Sequence, residues 1–254
     1  MSQDYPVLRL ALPDGFVHQS DTYRRNFIEG WCRDYLEPLL ATLPAGAKTY
    51  FGQDFGRSGD LSVIAPLVEL SNLKRYSPFT IELRNVPFES QKQLLFYLLK
   101  GLDQKTRLSG GAMDKTGSGA YLAEVVSQQY RMVEQVQMSQ NWHLEAWPKY
   151  KAALEDGNVS LPWDLDILDD HRLVRMVNGV PKIPEGSRFK GKDGGQRHGD
   201  SAIAYCLSWY AASKGRLGWQ THSRSALQIA STKNPFAQCG PIGGIPGRIP
   251  NFRG

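Results

Sequence analysis

Residues Lys48–Asp60 read KTYFGQDFGRSGD, and this stretch decides the fold. Its beginning is a short strand-like run in which Tyr50, Gly52 and Asp54 share one face, because side chains alternate along a strand. Gly52 and Gly56 allow backbone or a ligand to come close. The run predicts a strand that leads out of a packed core and ends at the carboxylate of Asp54. Taken alone, Asp54 could equally begin an Asx-turn.

The chain after this stretch predicts a mixed sheet. Two β-rich runs, Leu61–Leu70 and Phe79–Val86, continue the first strand as an antiparallel meander. Helical and strand periods then alternate: a helix from Glu89, a strand at Gly110–Asp114, a helix over Tyr121–Tyr130, a strand at Met132–Met138, a helix over Asn141–Asp156, a β-like segment at His171–Ile183 and a last helix at Asp200–Ser213. This order predicts an α/β fold, a mixed β-sheet (antiparallel meander plus parallel strands) flanked by helices.

The expected domain division has three parts. Residues 1–45 are expected to be an N-terminal helical linker region, whose helix over residues 21–43 is kinked or split at Pro38. Residues 46–213 form the predicted globular domain. Residues 214–254 are rich in glycine and proline and are expected to be a flexible C-terminal tail.

Two further aspartates follow the pattern of Asp54. Asp114 ends a strand within GGAMDKTGSG at Gly110–Gly119, and Asp200 begins the last helix within RHGDSA at Arg197–Ala202. Each has a structural alternative, since Asp114 could accompany the N-terminus of the next helix and Asp200 could be a helix N-cap. Carboxylates at the edge of a core also suit hard divalent cations, a pair of which can clamp the reacting oxygens of a phosphodiester. The combination predicts a metal-dependent nuclease.

Composition and short motifs limit the classes of protein to which the chain can belong. A formal net charge of +5 favours an anionic partner, although many unrelated proteins are as basic. Cys32, Cys206 and Cys239 form no CxxC pair, so neither a disulfide framework nor a zinc site is predicted. The sequence shows no signal-peptide pattern and no long apolar run, which predicts an intracellular protein. A Walker-type phosphate loop is not found in the sequence.

The three motifs, in this order and spacing, resemble the RNase H-like nuclease fold. Within it, the GQD and SGD opening, the MDKTGSG segment and the HGDSA segment look like the nuclease domain of the large terminase subunit of tailed bacteriophages, and the Mu-like branch is the most similar. The resemblance covers roughly residues 45–213. It implies an endonuclease that cleaves double-stranded concatemeric viral DNA with little sequence specificity during genome packaging, in the host cell cytoplasm.

The resemblance also implies roles for individual residues. Asp54, Asp114 and Asp200 would be the catalytic metal ligands for two Mg²⁺ or Mn²⁺ ions. His198 would contact a metal or the scissile phosphate, or simply cap the turn. Asp60 would be an outer carboxylate that supports the site, with a solvated turn residue as its alternative.

Partners follow from the same resemblance. Large terminases carry an ATPase domain ahead of the nuclease, and the absence of a phosphate loop here predicts an isolated nuclease domain, monomeric by itself, whose first residues lead to that motor. The portal protein and the small terminase subunit are further expected partners, and the tail is either a portal-docking segment or plain disorder.

DNA contacts are expected from basic residues close to the aspartates. These candidates are Lys115, Arg188, Lys190, Lys192 and Arg197. Contacts to phosphates would hold DNA without reading its sequence, although each of these residues could equally belong to a solvated basic loop. Two other functions remain open: another RNase H-like nuclease, namely a junction resolvase or a hybrid-specific enzyme, and a non-catalytic DNA-binding or assembly module.

Overall fold

A mixed β-sheet forms the centre of the computed structural model, which describes residues 5–56 and 61–214. Along its main path the strand order is β1-β5-β3-β2-β6-β7, and the short β4 pairs with β3 and β8. The strands are β1 (Val7–Leu10), β2 (Lys48–Asp54), β3 (Leu61–Glu69), β4 (Arg75–Tyr76), β5 (Thr80–Arg84), β6 (Arg107–Asp114), β7 (Val133–Val136) and β8 (Val159–Ser160).

Helices and two small hairpins complete the described part of the chain. The helices are α1 (Asp21–Trp31), α2 (Glu37–Ala41), α3 (Phe88–Lys105), α4 (Ala120–Gln129), α5 (Gln140–Glu155), α6 (Leu165–Arg172) and α7 (residues 200–214). One hairpin pairs β9 (Arg175–Val177) with β10 (Val180–Lys182), and the other pairs β11 (Phe189–Lys190) with β12 (Gln196–Arg197). None of these helices has the length and apolar character needed to cross a membrane.

The pairing of the central strands confirms the predicted fold class. Strands β2, β3 and β5 form the antiparallel meander, while β6 and β7 continue the sheet in parallel with β2. Because parallel neighbours need a crossover, α3 precedes β6 and α4 precedes β7. The carboxyl ends of β2, β6 and β7 therefore lie at one edge of the sheet.

Both faces of the sheet are covered, which explains why every residue of β3 is buried. On one face Ile64 and Val68 pack with apolar residues of α1, α3 and α4. On the other face Val63, Ala65 and Leu67 pack with apolar residues of α5 and α7. The strand alternation thus divides the protein into two cores, and α7 belongs to the second.

The N-terminal segment corrects the expected domain division. Strand β1 pairs in parallel with β5, and Leu10, Ile28 and Leu40 are part of the first core. Residues 5–45 are consequently a layer of the same compact unit rather than a linker alone. The helix predicted over residues 21–43 is continuous over residues 21–41, and its irregularity is a π-helical turn at Cys32–Leu36 just before Pro38, which lies in the first turn of α2. The predicted tail, apart from residue 214, lies outside the described residues.

One other segment differs from its sequence pattern. His171–Ile183 was expected to be β-like, but His171 belongs to the last turn of α6, and only β9 and β10 are extended. The N-cap of α6 is Asp164, whose side chain accepts a hydrogen bond from the backbone NH of Asp166 at 2.8 Å. This helix matters for the site because it places Asp170 beneath the N-terminus of α7.

Candidate active site

Two of the predicted aspartates end neighbouring parallel strands. In the β2 and β6 pairing, Gly52 lies opposite Ala112 and Gln53 lies opposite Met113. The next residue of each strand is its last one, Asp54 in β2 and Asp114 in β6. Parallel neighbours are about 4.8 Å apart along the hydrogen-bonding direction, so the two backbones carry their carboxylates side by side at this edge.

The third aspartate comes to the same end through the packing of α7. A Cβ atom on Gly52 would meet the backbone of Ala204 and Ser208, and one on Gly110 would lie 3.6 Å from the carbonyl oxygen of Ala211. Gly52 shares a face with Asp54, because side chains alternate along the strand. Following the strands toward their carboxyl ends therefore leads toward the first residue of α7, which is Asp200.

The side chains at this edge are not gathered into a ready ligand cluster. Among residues 5–56 and 61–214, no group of three or more His, Cys, Asp or Glu side chains is arranged to hold a metal ion. The fold thus brings the three predicted positions to one edge and one face, while coordination by all three would need their side chains to turn toward a common point. Asp60 lies outside the described residues.

Asp114 is buried at the end of β6, with 8 % of its surface exposed. Its carboxylate accepts hydrogen bonds from the backbone NH of Thr116 at 2.9 Å and from the Thr116 hydroxyl at 2.5 Å. Burial raises the pKa of Asp114, and the two hydrogen bonds from Thr116 oppose that rise. The Asx-turn considered for Asp54 is thus present at Asp114.

Asp200 is a buried carboxyl group with a raised pKa. Its carboxylate accepts a hydrogen bond from the backbone NH of His198 at 3.0 Å and is 5 % exposed. Burial raises the pKa of Asp200 to about 6, and the negative charge of Asp170 contributes to the rise, whereas the hydrogen bond from His198 opposes it. A nearby cation would relieve the cost of an ionised carboxylate here.

The donor chemistry fits the hard cations implied by the sequence. Carboxylate oxygens are the ligands that Mg²⁺ and Mn²⁺ prefer, and Asp114 and Asp200 are both buried carboxyl groups whose pKa values are raised by burial. His198 is half-buried and takes part in the turn through its backbone NH. Asp114 and Asp200 therefore have the donor chemistry of divalent-cation ligands, although in the described residues their side chains are not grouped with a third such ligand.

The basic candidates fall into two groups. Lys115 and the neighbouring pair Arg188 and Lys190 are exposed, as phosphate contacts require. Lys192 is half-exposed, and its ammonium lies 3.1 Å from the carboxylate of Asp164.

Arg197 is a correction to the set of expected DNA contacts. Its side chain is fully buried, and its guanidinium lies 2.6 Å from the carboxylate of Asp170 and 2.8 Å from that of Glu82. An arginine committed to two buried carboxylates cannot reach a phosphate on the surface. The guanidinium of Arg9 also binds the Glu82 carboxylate, at 2.8 Å.

The sequence interpretation missed Asp170. This carboxylate is fully buried at the C-terminal end of α6 and contacts the turn that precedes α7. Its place in an ordinary amphipathic helix gives no sequence signal, because a solvent-facing aspartate would look the same. Its long-range contacts with Arg197, Gly199 and Ser201 distinguish it.

Comparisons with known proteins find relatives for most of the chain. A scan against protein-family models finds no match. The chain is 40 % identical over 203 residues to the Mu-like prophage FluMu protein gp28 of Haemophilus influenzae, a match that covers 79 % of this chain and 39 % of that protein. It is 37 % identical over 210 residues to a protein of Escherichia phage Mu described as "probable terminase, large subunit gp28", covering 82 % of this chain and 37 % of that protein.

The chain is a homologue of the gp28 proteins of Mu-like phages. It spans about two fifths of the length of these gp28 relatives. Two solved structures are less similar. The large terminase nuclease from thermophilic phage G20c with bound magnesium is 20 % identical, with a TM-score of 0.47, over 65 % of this chain and 81 % of that one. The Thermus phage P74-26 large terminase nuclease domain is 18 % identical, with a TM-score of 0.44, over 68 % of this chain and 91 % of that one.

Proposed function

We propose that this chain is the nuclease domain of a phage terminase large subunit, a metal-dependent endonuclease that cuts double-stranded concatemeric DNA during genome packaging. The observation that carries the proposal is the arrangement in which β2 and β6 end side by side at Asp54 and Asp114 while α7, which begins at Asp200, packs on the same face of the sheet. It occurs in a chain homologous to gp28 of phage Mu, which is described as a probable terminase large subunit. Neither observation would suffice alone, since acidic strand ends are common and homology does not identify the reacting groups.

The three aspartates have distinct positions in this proposal. Asp54 ends β2 next to the end of β6 at Asp114, and in this proposal it shares cations with Asp114 and Asp200. Two Mg²⁺ or Mn²⁺ ions, when bound, would activate a water and stabilise the departing oxygen of a phosphodiester. His198 stays a candidate for contact with a metal or the phosphate, and Asp60 stays a candidate outer carboxylate.

DNA would be held through its phosphates. Exposed Lys115 follows Asp114 directly, and exposed Arg188 and Lys190 belong to the segment that leads into α7 and Asp200. These three side chains are the proposed phosphate contacts. Lys192 would contribute less, because Asp164 already balances its charge. Phosphate contacts carry no sequence information, which suits an enzyme that cuts where packaging stops.

The wider assembly is also part of the proposal. The gp28 relatives are much longer than this chain, and the terminase ATPase domain would be supplied by the rest of such a protein. The portal protein and the small terminase subunit are proposed partners of the complete large subunit, acting in the host cell cytoplasm.

Cleavage of plasmid DNA in Mn²⁺ or Mg²⁺ tests the proposed activity. Asp54→Asn should abolish cutting of supercoiled plasmid. The control is Asp103, an exposed aspartate of α3, and the Asp103→Asn variant should cut as the unaltered chain does. Four-way junctions and RNA–DNA hybrids belong in the same assay, because a preference for either would favour a resolvase or a hybrid-specific enzyme. Equal cutting by the Asp54 variant would reject the proposal.

A further inference from the structure

Asp170 holds the backbone on both sides of Asp200. Its carboxylate accepts hydrogen bonds from the backbone NH of Gly199 at 3.2 Å and from that of Ser201 at 3.1 Å, and also from the Ser201 hydroxyl at 2.6 Å. The amides before and after Asp200 are therefore bound to one side chain of another helix. These two hydrogen bonds fix the backbone position of Asp200 and therefore the direction of its side chain.

Asp170 is itself held by Arg197. The guanidinium contacts the Asp170 carboxylate through two nitrogen atoms, Nη2 at 2.6 Å and Nε at 3.4 Å, and the same Nη2 donates to Glu82 at 2.8 Å. All three side chains are at most 2 % exposed, so water does not compete for these bonds. A buried ion pair with this many hydrogen bonds fixes geometry more than it adds net stability.

The turn itself admits little variation. Gly199 has φ +91°, a left-handed conformation that residues with a side chain rarely adopt, and a Cβ atom there would collide with the side chain of Ile183. Asp200 closes the turn by accepting the backbone NH of His198. The conformation of residues 197–201 thus depends on Gly199 for its shape and on Asp170 for its attachment to the core.

We propose that Asp170, clamped by Arg197, is a positioning residue that sets the place and direction of the Asp200 carboxylate for divalent-cation binding. The proposal rests on the proposed function, in which Asp200 is a cation ligand. Groups that hold a ligand in place without touching the metal commonly affect metal affinity by about 10- to 100-fold. Asp170 and Arg197 would act in this way, through two backbone amides rather than through a side chain of the ligand.

Mn²⁺ affinity of the full chain, measured from the electron paramagnetic resonance signal of free Mn²⁺, is the direct readout. Asp170→Asn keeps the size of the side chain but removes its charge, and should weaken Mn²⁺ binding by about 10-fold or more. Ser201→Ala keeps both amide contacts but removes the shortest hydrogen bond between Asp170 and the turn, which orients the Asp170 carboxylate, so it should weaken Mn²⁺ binding by about 2- to 10-fold. This second variant keeps the test valid if Asp170→Asn does not fold.

The matched control is a buried ion pair at the other end of α7. Glu69 and Arg75 lie 2.7 Å apart, are nearly as buried as Asp170 and Arg197, and Arg75 donates to the carbonyl of Ala212. Glu69→Gln should lower the unfolding temperature as Asp170→Asn does, yet change Mn²⁺ affinity by less than about twofold. A merely structural role for Asp170 would make the two variants behave alike.

A double-substituted chain completes the experiment. On an Asp200→Asn background, Asp170→Asn should cause no further loss of Mn²⁺ affinity, because the two residues would act on the same ligand. Near-normal Mn²⁺ binding by Asp170→Asn and Ser201→Ala, together with loss of binding in Asp200→Asn, would overturn the positioning role and leave the proposed function intact. If Asp200→Asn binds Mn²⁺ as well as the unaltered chain, the proposed function fails and the positioning role fails with it.

Discussion

Gly52 in β2 lies against the backbone carbonyl of Ala204 in α7, so closely that the smallest side chain would collide with the helix. This contact sets the distance between the sheet and α7. Since Asp54 is two residues beyond Gly52 and Asp200 is one helical turn before Ala204, the same contact sets how near those two carboxylates can come. A glycine in the middle of a buried strand is thus a structural requirement of the candidate site.

Gly52→Ala should therefore destabilise the protein by about 1–3 kcal/mol, because the added methyl group meets backbone that cannot rotate away. Urea unfolding followed by circular dichroism measures the change. Gly30→Ala is the matched control: Gly30 lies in α1 with open space around its Cα, so alanine there should stabilise the helix by about 0.5–1 kcal/mol. Equal effects of the two substitutions would refute the close approach of β2 and α7.

Charge reversal of the exposed basic residues should weaken DNA binding. The double substitution Arg188→Glu and Lys190→Glu should lower affinity for duplex DNA and reduce the slope of log affinity against log salt by about 2 to 4, since each reversal removes a phosphate contact and adds a repulsion. Fluorescence anisotropy over a range of NaCl concentrations gives both quantities. An unchanged salt slope would show that Arg188 and Lys190 do not contact the phosphates of DNA.

Arg197 should behave differently from its neighbours, because it is buried between Asp170 and Glu82. Arg197→Met leaves the buried Asp170 carboxylate without its cation and leaves Glu82 with Arg9 alone, and should cost about 3–5 kcal/mol of unfolding free energy. The salt slope of DNA binding, measured at a temperature where the variant is folded, should stay as in the unaltered chain. A stable variant with a reduced slope would restore Arg197 to the DNA contacts.

Stability should fall in mild acid partly through His171. Burial lowers the pKa of this imidazole below its usual 6.5, and its ring nitrogens contact the Tyr150 hydroxyl at 2.8 Å and the Ile167 carbonyl at 2.7 Å. In the unfolded chain the ring takes up a proton as the pH falls through about 6.5, while the folded chain takes up less, so acid favours unfolding.

The comparison with His171→Gln isolates that contribution. From about pH 8 to about pH 5, the unaltered chain should lose more unfolding free energy than the variant, whose side chain does not titrate. Chemical denaturation at each pH measures both. Parallel pH profiles would show that His171 does not contribute to acid sensitivity.

The sequence predicted the central strands well, for a physical reason. Strand β3 is largely apolar on both faces and β2 is a short run that ends in a glycine-rich turn, so local pattern alone identifies them. Asp54 and Asp114 are recognisable as the residues at which these runs stop. Strand β1 was missed because a strand of four residues, Val7–Leu10, owes its state to distant β5.

Arg197 shows why the remaining features could not be predicted. Arginine in a glycine-rich segment is usually exposed, and the partners that bury this one, Glu82 and Asp170, are 115 and 27 residues away in the chain. Burial of a charge depends on such distant partners, which no local pattern contains. The same holds for Asp170, whose role is visible only from its contacts with the turn before Asp200.

The central claim is that Asp54, Asp114 and Asp200 bind divalent cations together. Crystals of the chain grown with Mn²⁺ and measured at a wavelength where manganese scatters anomalously test it directly. We expect two anomalous peaks about 4 Å apart at the carboxyl ends of β2 and β6, with oxygen atoms of all three aspartates within about 2.3 Å of manganese. Manganese bound elsewhere, with this edge of the sheet empty and the three carboxylates apart, would contradict it.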